Sequence, residues 1–70
     1  MASKPLRFAL VGTGLVADFH ARAILESPQC ELVGATDMNT ERLATFAAKY
    51  QCEAIPSLEA LLARPDVDVV

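Results

Sequence analysis

The stretch "FALVGTGLVADFH", residues 8–20, runs from apolar side chains into two glycines one residue apart and then into helix-forming residues. An apolar run this short, closed by Gly12, is typical of a buried parallel strand rather than of a helix. Beyond Gly14, apolar side chains recur at helical spacing, at Val16, Phe19, Ala23 and Ile24. We therefore predict a strand, a tight glycine turn and a helix in direct succession.

The rest of the chain continues this alternation. We predict strands at residues 6–12, 31–37, 53–55 and 66–70. The first helix is expected to end at Ser27, because the residue before Pro28 disfavours helical backbone. Two further helices are marked by apolar residues at helical spacing: Leu43, Phe46, Ala47 and Tyr50, then Leu58, Leu61 and Leu62. Strands alternating with helices predict an α/β fold with a parallel sheet.

Composition limits the classes of function. The chain has 70 residues, of which 53% are hydrophobic and 21% charged. Nine acidic and six basic residues give a net charge of -3, so we expect no nucleic-acid partner and no membrane partner. No apolar stretch has the length of a secretion signal or a membrane span. Cys30 and Cys52 lack metal-binding spacing and are expected to be reduced thiols in a cytoplasmic protein.

The glycine turn has the pattern GxGxxA. In a dinucleotide-binding turn, the first glycine allows the sharp turn, the second lets backbone amides approach the pyrophosphate, and a small third residue lets helix and strand pack closely. Gly12, Gly14 and Ala17 occupy these positions. The N–H groups of Leu15 and Val16 would then bind the pyrophosphate at the start of the helix. Because glycine also ends strands for steric reasons, the turn alone leaves both interpretations open.

An acid at the end of the second strand supplies the other half of this pattern. Asp37 lies 20 positions after Ala17, where a carboxylate accepts hydrogen bonds from the adenosine ribose. The alternative is that Asp37 only caps the next helix. Turn, strand and spacing together favour ribose binding and predict a Rossmann-type, doubly wound sheet with strand order 3-2-1-4. A carboxylate here also repels a 2′-phosphate, which favours NAD over NADP.

Other candidate residues give weaker signals. Arg42 either is solvated on its helix or reaches outward and weakens the preference for NAD. His20 lies within the apolar stripe of the first helix, so we expect it to pack locally rather than to act in catalysis. The acidic residues show no spacing typical of a carboxylate pair or a metal site. We therefore assign no catalytic residue and no metal ligand.

Taken together, the segments "RFALVGTGLVADFHARAI", "ELVGATDMNTERLATFAAKY" and "PSLEALLARPDVDVV" resemble the N-terminal portion of the Gfo/Idh/MocA oxidoreductase family. The resemblance implies that residues 1–70 are the first part of a dinucleotide-binding domain, followed in such proteins by a larger α+β substrate domain that often forms the oligomer contact. It implies NAD- or NADP-dependent oxidation or reduction of a sugar, cyclitol or related polyol, in a homo-oligomer.

The resemblance also implies which residues contact the cofactor: Gly12, Thr13, Gly14, Leu15, Val16, Asp37 and Met38. Many members have an arginine directly after the acid, and Met38 departs from this, which weakens the case for NADP. The family's threonine-proline-asparagine and glutamate-lysine-proline segments would follow Val70. We therefore expect the 70-residue chain alone to show no turnover.

Two other classes share parts of this pattern. A redox-sensing regulator can bind NAD on the same fold without catalysis, although a DNA-reading element would bring basic charge. A methyltransferase that binds S-adenosylmethionine more often has an acidic residue just before the glycines, where this chain has Leu10 and Val11. The sequence therefore favours the dehydrogenase interpretation.

Overall fold

The computed structural model describes residues 5–70, and strands and helices alternate along them. The elements are β1 (Leu6–Val11), α1 (Leu15–Glu26), β2 (Cys30–Thr36), α2 (Thr40–Tyr50), β3 (Glu53–Ala54) and α3 (Leu58–Leu62). The three strands are parallel and lie in the order β1-β2-β3. The predicted α/β class and parallel sheet are confirmed, with element bounds within one residue of the predicted strands.

The predicted fourth strand is present only as one bridge. Val69 pairs in parallel with Phe8, a residue of β1 that also pairs with β2 through Leu32. Because a strand has two edges, residue 69 lies on the edge of β1 that faces away from β2. Within residues 5–70 this segment forms no regular strand, so the full order 3-2-1-4 stays a prediction.

Helices cover both faces of the sheet, as expected for a doubly wound fold. On one face, side chains of α1, α2 and β2 form a cluster around Ile24, Leu32 and Phe46. On the other face, Leu61 of α3 packs with Ile55 and Ala9. The chain therefore has two small cores separated by the sheet.

The buried face of α1 differs from the predicted one. We expected a stripe of Val16, Phe19, Ala23 and Ile24. Ile24 is buried, but Ala23 is exposed, and the Val16 and Phe19 side chains are 65% and 68% exposed. The buried residues are Ala17, Ala21 and Ile24. Small side chains let the helix lie close to the sheet, which is the role predicted for Ala17 in the glycine-turn pattern. Apart from Ile24, the larger apolar side chains of α1 are exposed.

An irregularity in β2 sets the direction of its last residues. Phe8 pairs with Leu32, but Ala9 pairs with Gly34, so Val33 is an extra residue in β2. Such a bulge exchanges the faces on which the following side chains lie. Both Leu32 and Ala35 therefore belong to the core under α1 and α2, although they are three positions apart.

Candidate nucleotide-binding site

The glycine turn leaves an open backbone surface between β1 and α1. Gly12 has φ +89, a backbone conformation that L side chains rarely adopt, and its N–H donates to the Thr36 carbonyl at 2.8 Å. Gly14 is the N-cap of α1, and no side chain caps this helix. A Cβ placed on either glycine would meet no atom within 4 Å. The turn is therefore an exposed cradle beside the positive end of a helix dipole, which suits a phosphate group.

Asp37 follows β2 directly and lies against this turn. Its Oδ2 accepts hydrogen bonds from the Thr13 N–H at 2.7 Å and the Thr13 hydroxyl at 2.6 Å. Its Oδ1 accepts from the Asn39 N–H at 2.9 Å. The side chain of Asn39 caps α2 by accepting from the Arg42 N–H. Asn39 rather than Asp37 is therefore the cap of α2, and the carboxylate of Asp37 faces the turn.

Arg42 completes the hydrogen bonding of this carboxylate. Its Nε donates to Oδ2 of Asp37 at 3.0 Å, and its Nη2 donates to Oδ1 at 3.1 Å. These donors hold the pKa of Asp37 well below its ordinary value, mainly through the hydroxyl of Thr13, then the N–H groups of Asn39 and Thr13, and then Arg42. Asp37 is therefore ionised throughout the physiological pH range.

Thr13 differs from the other predicted contact residues. It is buried, and both of its donors point to Asp37. Leu15, Val16 and Met38 are exposed beside the same turn and strand end. Thr13 therefore fixes the position of the acid, whereas the other three offer surface that a ligand can reach.

Two adjoining cavities meet at the end of β1. One, of about 350 Å³, lies along the turn and the start of α1, and His20 contributes to its wall. The other, of about 600 Å³, lies beside Asp37; its lining residues are Val11, Gly12, Thr36, Asp37, Met38, Arg42, Pro56, Ser57 and Leu58. Val11 and Gly12 line both cavities. An elongated ligand can therefore cross from one to the other over the glycine turn.

Sequence reasoning missed the loop before α3. Pro56, Ser57 and Leu58 line the larger cavity, opposite the end of β2. The signal that could have found them is topological, because the loops after parallel strands collect at one edge of the sheet. His20 was expected to pack locally, but it is exposed at the smaller cavity. Its position follows from the rotation of α1, which buries Ala17 and Ala21 instead.

Among the described residues, no group of three or more potential ligands could hold a metal ion. Cys30 and Cys52 are free thiols, as expected. Across the same part of the chain, no helix combines the length and apolar character needed to cross a membrane.

The sequence model of one family, described as an oxidoreductase family with an NAD-binding Rossmann fold, matches residues 6–70. The chain belongs to the Gfo/Idh/MocA oxidoreductase family. Residues 6–70 match the NAD-binding Rossmann fold of a family whose members are oxidoreductases, so the predicted family, fold class and cofactor class are confirmed. The assignment of the open turn and of Asp37 to the cofactor site stays a prediction.

Three relatives illustrate the similarity. A dTDP-3,4-didehydro-2,6-dideoxy-alpha-D-glucose 3-reductase of Streptomyces antibioticus is 39% identical over an alignment of 74 positions, which covers 100% of this chain and 22% of that protein. The WlbA dehydrogenase of Bordetella pertussis, solved with NADH and UDP-GlcNAcA, has a TM-score of 0.86 and 31% identity over 99% of this chain and 20% of its own. Biliverdin reductase of Synechocystis, solved with biliverdin and NADP+, has a TM-score of 0.88 and 28% identity. The match covers 94% of this chain and 21% of that protein. The chain spans about a fifth of the length of these proteins.

Proposed function

We propose that this chain is the adenosine- and pyrophosphate-binding part of an NAD(P)-dependent dehydrogenase that acts on the CH–OH group of a sugar, cyclitol or related polyol. The observation that carries the proposal is the meeting of the open glycine cradle and the ionised Asp37 at one edge of the sheet. A dinucleotide needs the cradle and the carboxylate next to each other, because its pyrophosphate and its ribose bind at the same time.

The pyrophosphate lies over the turn in this proposal. The N–H groups of Leu15 and Val16 belong to the first turn of a helix without a side-chain cap, where N–H groups have no intrahelical partner and can bind a phosphate. Gly12 and Gly14 have no side chains that would fill it. The backbone therefore supplies the binding charge, and no lysine is needed.

The adenosine half lies in the larger cavity. Asp37 accepts hydrogen bonds from the ribose hydroxyls, while Thr13 holds the carboxylate in place from the buried side. Met38 is fully exposed at the mouth of this cavity and offers a polarisable surface to the adenine. When bound, the cofactor supplies hydride transfer, and these residues supply orientation.

The substrate class is supported by the relatives, two of which act on or bind a nucleotide-linked sugar according to their descriptions. We assign no catalytic residue within the described chain, because its polar clusters are engaged in ion pairs or belong to the cofactor site. We further propose that the complete enzyme works in the cytoplasm as a homo-oligomer, with substrate and subunit contacts outside these residues.

The experiment that tests this function is a calorimetric titration of the chain with NAD. We expect Asp37→Ala to lower the affinity by about tenfold or more, because hydrogen bonds to a charged carboxylate are lost. Glu26→Ala removes an exposed acid at the end of α1 and serves as the control, with unchanged affinity. Unfolding curves of both variants verify that they are folded. Unchanged NAD affinity in folded Asp37→Ala would remove Asp37 from the site.

A further inference from the structure

The carboxylate of Asp37 has no acceptor capacity to spare. A carboxylate offers about four lone-pair sites, and five donor groups from Thr13, Asn39 and Arg42 already bind this one. The Asp37 side chain is only 5% exposed. The ribose hydroxyls of the proposed function can therefore bind Asp37 only if one of these donors leaves.

Arg42 is the donor that can leave. The donors of Thr13 and Asn39 are held by buried structure or by backbone next to Asp37 itself. The Arg42 side chain, in contrast, is 52% exposed and reaches Asp37 from the first turn of α2. The guanidinium can therefore move into solvent or to another partner, while three hydrogen bonds from Thr13 and Asn39 stay on the carboxylate.

The released guanidinium stays at the adenosine cavity. Among the described residues that line this cavity, Arg42 is the one cationic side chain, and Asp37 is the one acid. A phosphate ester on the ribose hydroxyl nearest to Asp37 would lie where Arg42 now donates its hydrogen bonds. A planar guanidinium is well suited to a phosphate through paired hydrogen bonds.

We propose that Arg42 sets the cofactor selectivity of this domain, because it competes with a free ribose diol for Asp37 and provides the countercharge for a ribose 2′-phosphate. Arg42 lowers the affinity for NAD, raises the affinity for NADP and allows both to bind. From α2, Arg42 provides the positive charge that Met38, the residue directly after Asp37, lacks. This inference rests on the proposed dinucleotide site, but it concerns selectivity rather than binding itself.

The test compares NAD+ with NADP+, which differ only in the 2′-phosphate, in NMR titrations of the wild-type chain and its variants. In Arg42→Ala, we expect NAD+ to bind about two- to fivefold more tightly, because the guanidinium no longer occupies the acceptor sites of Asp37 that the ribose hydroxyls need. We expect NADP+ to bind about tenfold more weakly or worse, because charge-assisted hydrogen bonds to phosphate are lost. Arg42→Lys, which keeps the charge without the planar fork, should give an intermediate ratio of the two affinities.

Arg22→Ala is the matched control, because it removes the same charge from an exposed position on α1 outside this cavity. Its ratio of NADP+ to NAD+ affinity should equal that of the wild type. The inference is overturned if Arg42→Ala leaves this ratio unchanged, or if Arg22→Ala changes it equally. If the folded wild-type chain binds neither dinucleotide, the proposed function fails and the inference fails with it.

Discussion

At the scale of single residues, the three glycines of the chain have different physical roles. Gly12 is required by its backbone, with φ +89. Gly14 has φ -76 and ψ -167, which any residue can adopt, and faces open space. Gly34 is required by contact, because a Cβ there would lie 2.7 Å from the Glu53 carbonyl oxygen and 2.9 Å from Cδ1 of Ile55. Substitutions at Gly14 and Gly34, the two glycines without a positive φ, therefore distinguish an effect on ligand binding from an effect on folding.

Replacing Gly14 by alanine should weaken NAD binding without loss of stability. The new methyl group meets no protein atom but enters the space proposed for the pyrophosphate. We expect the free energy of unfolding to stay within about 0.5 kcal/mol of the wild type, because alanine restricts the unfolded chain but is a poorer N-cap than glycine. The affinity for NAD should fall by about tenfold or more, since close backbone approach to the pyrophosphate is blocked. Urea unfolding and calorimetry measure the two effects.

Gly34→Ala is the matched control for this change. Its methyl group would overlap β3, and we expect about 1–3 kcal/mol of destabilisation. Any loss of NAD binding in this variant should follow the unfolded fraction only. A Gly14→Ala variant that is strongly destabilised, or one that binds NAD like the wild type, would contradict the geometry given for the turn.

At the scale of elements, much of the fold follows from local patterns. The bounds of α1 come from Gly14 and the Ser27-Pro28 pair, and those of α3 from Ser57, whose side chain caps the helix. The strand ends follow from short apolar runs closed by turn residues. Because both the turn and Asp37 lie at such strand ends, their meeting at one edge could be predicted from spacing alone.

The rotation of α1 could not be predicted in the same way. Almost every position of this helix outside Asp18, His20, Arg22 and Glu26 is apolar, so apolarity does not select one face. Tertiary packing selects the alanine face, because small side chains allow close approach to the sheet. For the same reason, the sequence did not predict that His20 is exposed at the smaller cavity rather than packed locally.

Irregular strand pairing and the directions of long side chains also could not be predicted from the sequence. No residue type marks Val33 as the extra residue of β2, because the bulge depends on how β1 and β2 fit together. Without this bulge, Leu32 and Ala35 would lie on opposite faces of the sheet. The Arg42–Asp37 contact likewise depends on the direction of a flexible side chain, for which sequence spacing offers only a range of partners.

At the scale of the whole molecule, ion pairs connect the last described segment to the sheet. Arg7 of β1 donates to Asp68 through Nε at 3.0 Å, beside the bridge formed by Val69. Arg64, after α3, donates through Nη2 to Asp66 at 2.8 Å and to Glu53 of β3 at 3.0 Å. The Arg7–Asp68 pair holds the last segment next to β1, and Arg64 connects the chain after α3 to β3.

Acid should weaken this arrangement. The pKa values of Asp68, Asp66 and Glu53 lie below their ordinary values of 3.8 and 4.5, because the arginines donate hydrogen bonds to the carboxylates. A carboxyl group with a lowered folded pKa stabilises the fold above its unfolded pKa and loses this effect as the pH falls toward the folded value. We therefore expect the free energy of unfolding to decrease as the pH drops below 4.5 and then below 3.8.

Unfolding curves in urea at a series of pH values measure this dependence. Asp68→Asn should show a shallower decrease than the wild type, because one of the groups with a lowered pKa has been removed. Stability that stays constant across this acidic range, or that rises, would show that these ion pairs do not contribute.

The central claim is that one edge of the sheet, made by the glycine turn and the end of β2, binds the adenosine and pyrophosphate of NAD. The most direct measurement is an NMR titration of the isotope-labelled 70-residue chain with NAD+, read residue by residue. We expect the largest shifts on the backbone N–H groups of Gly12 to Val16 and of Asp37 and Met38, with little change at Glu53 and Arg64. Saturable shifts centred on another surface, or no shifts in a folded chain, would contradict it.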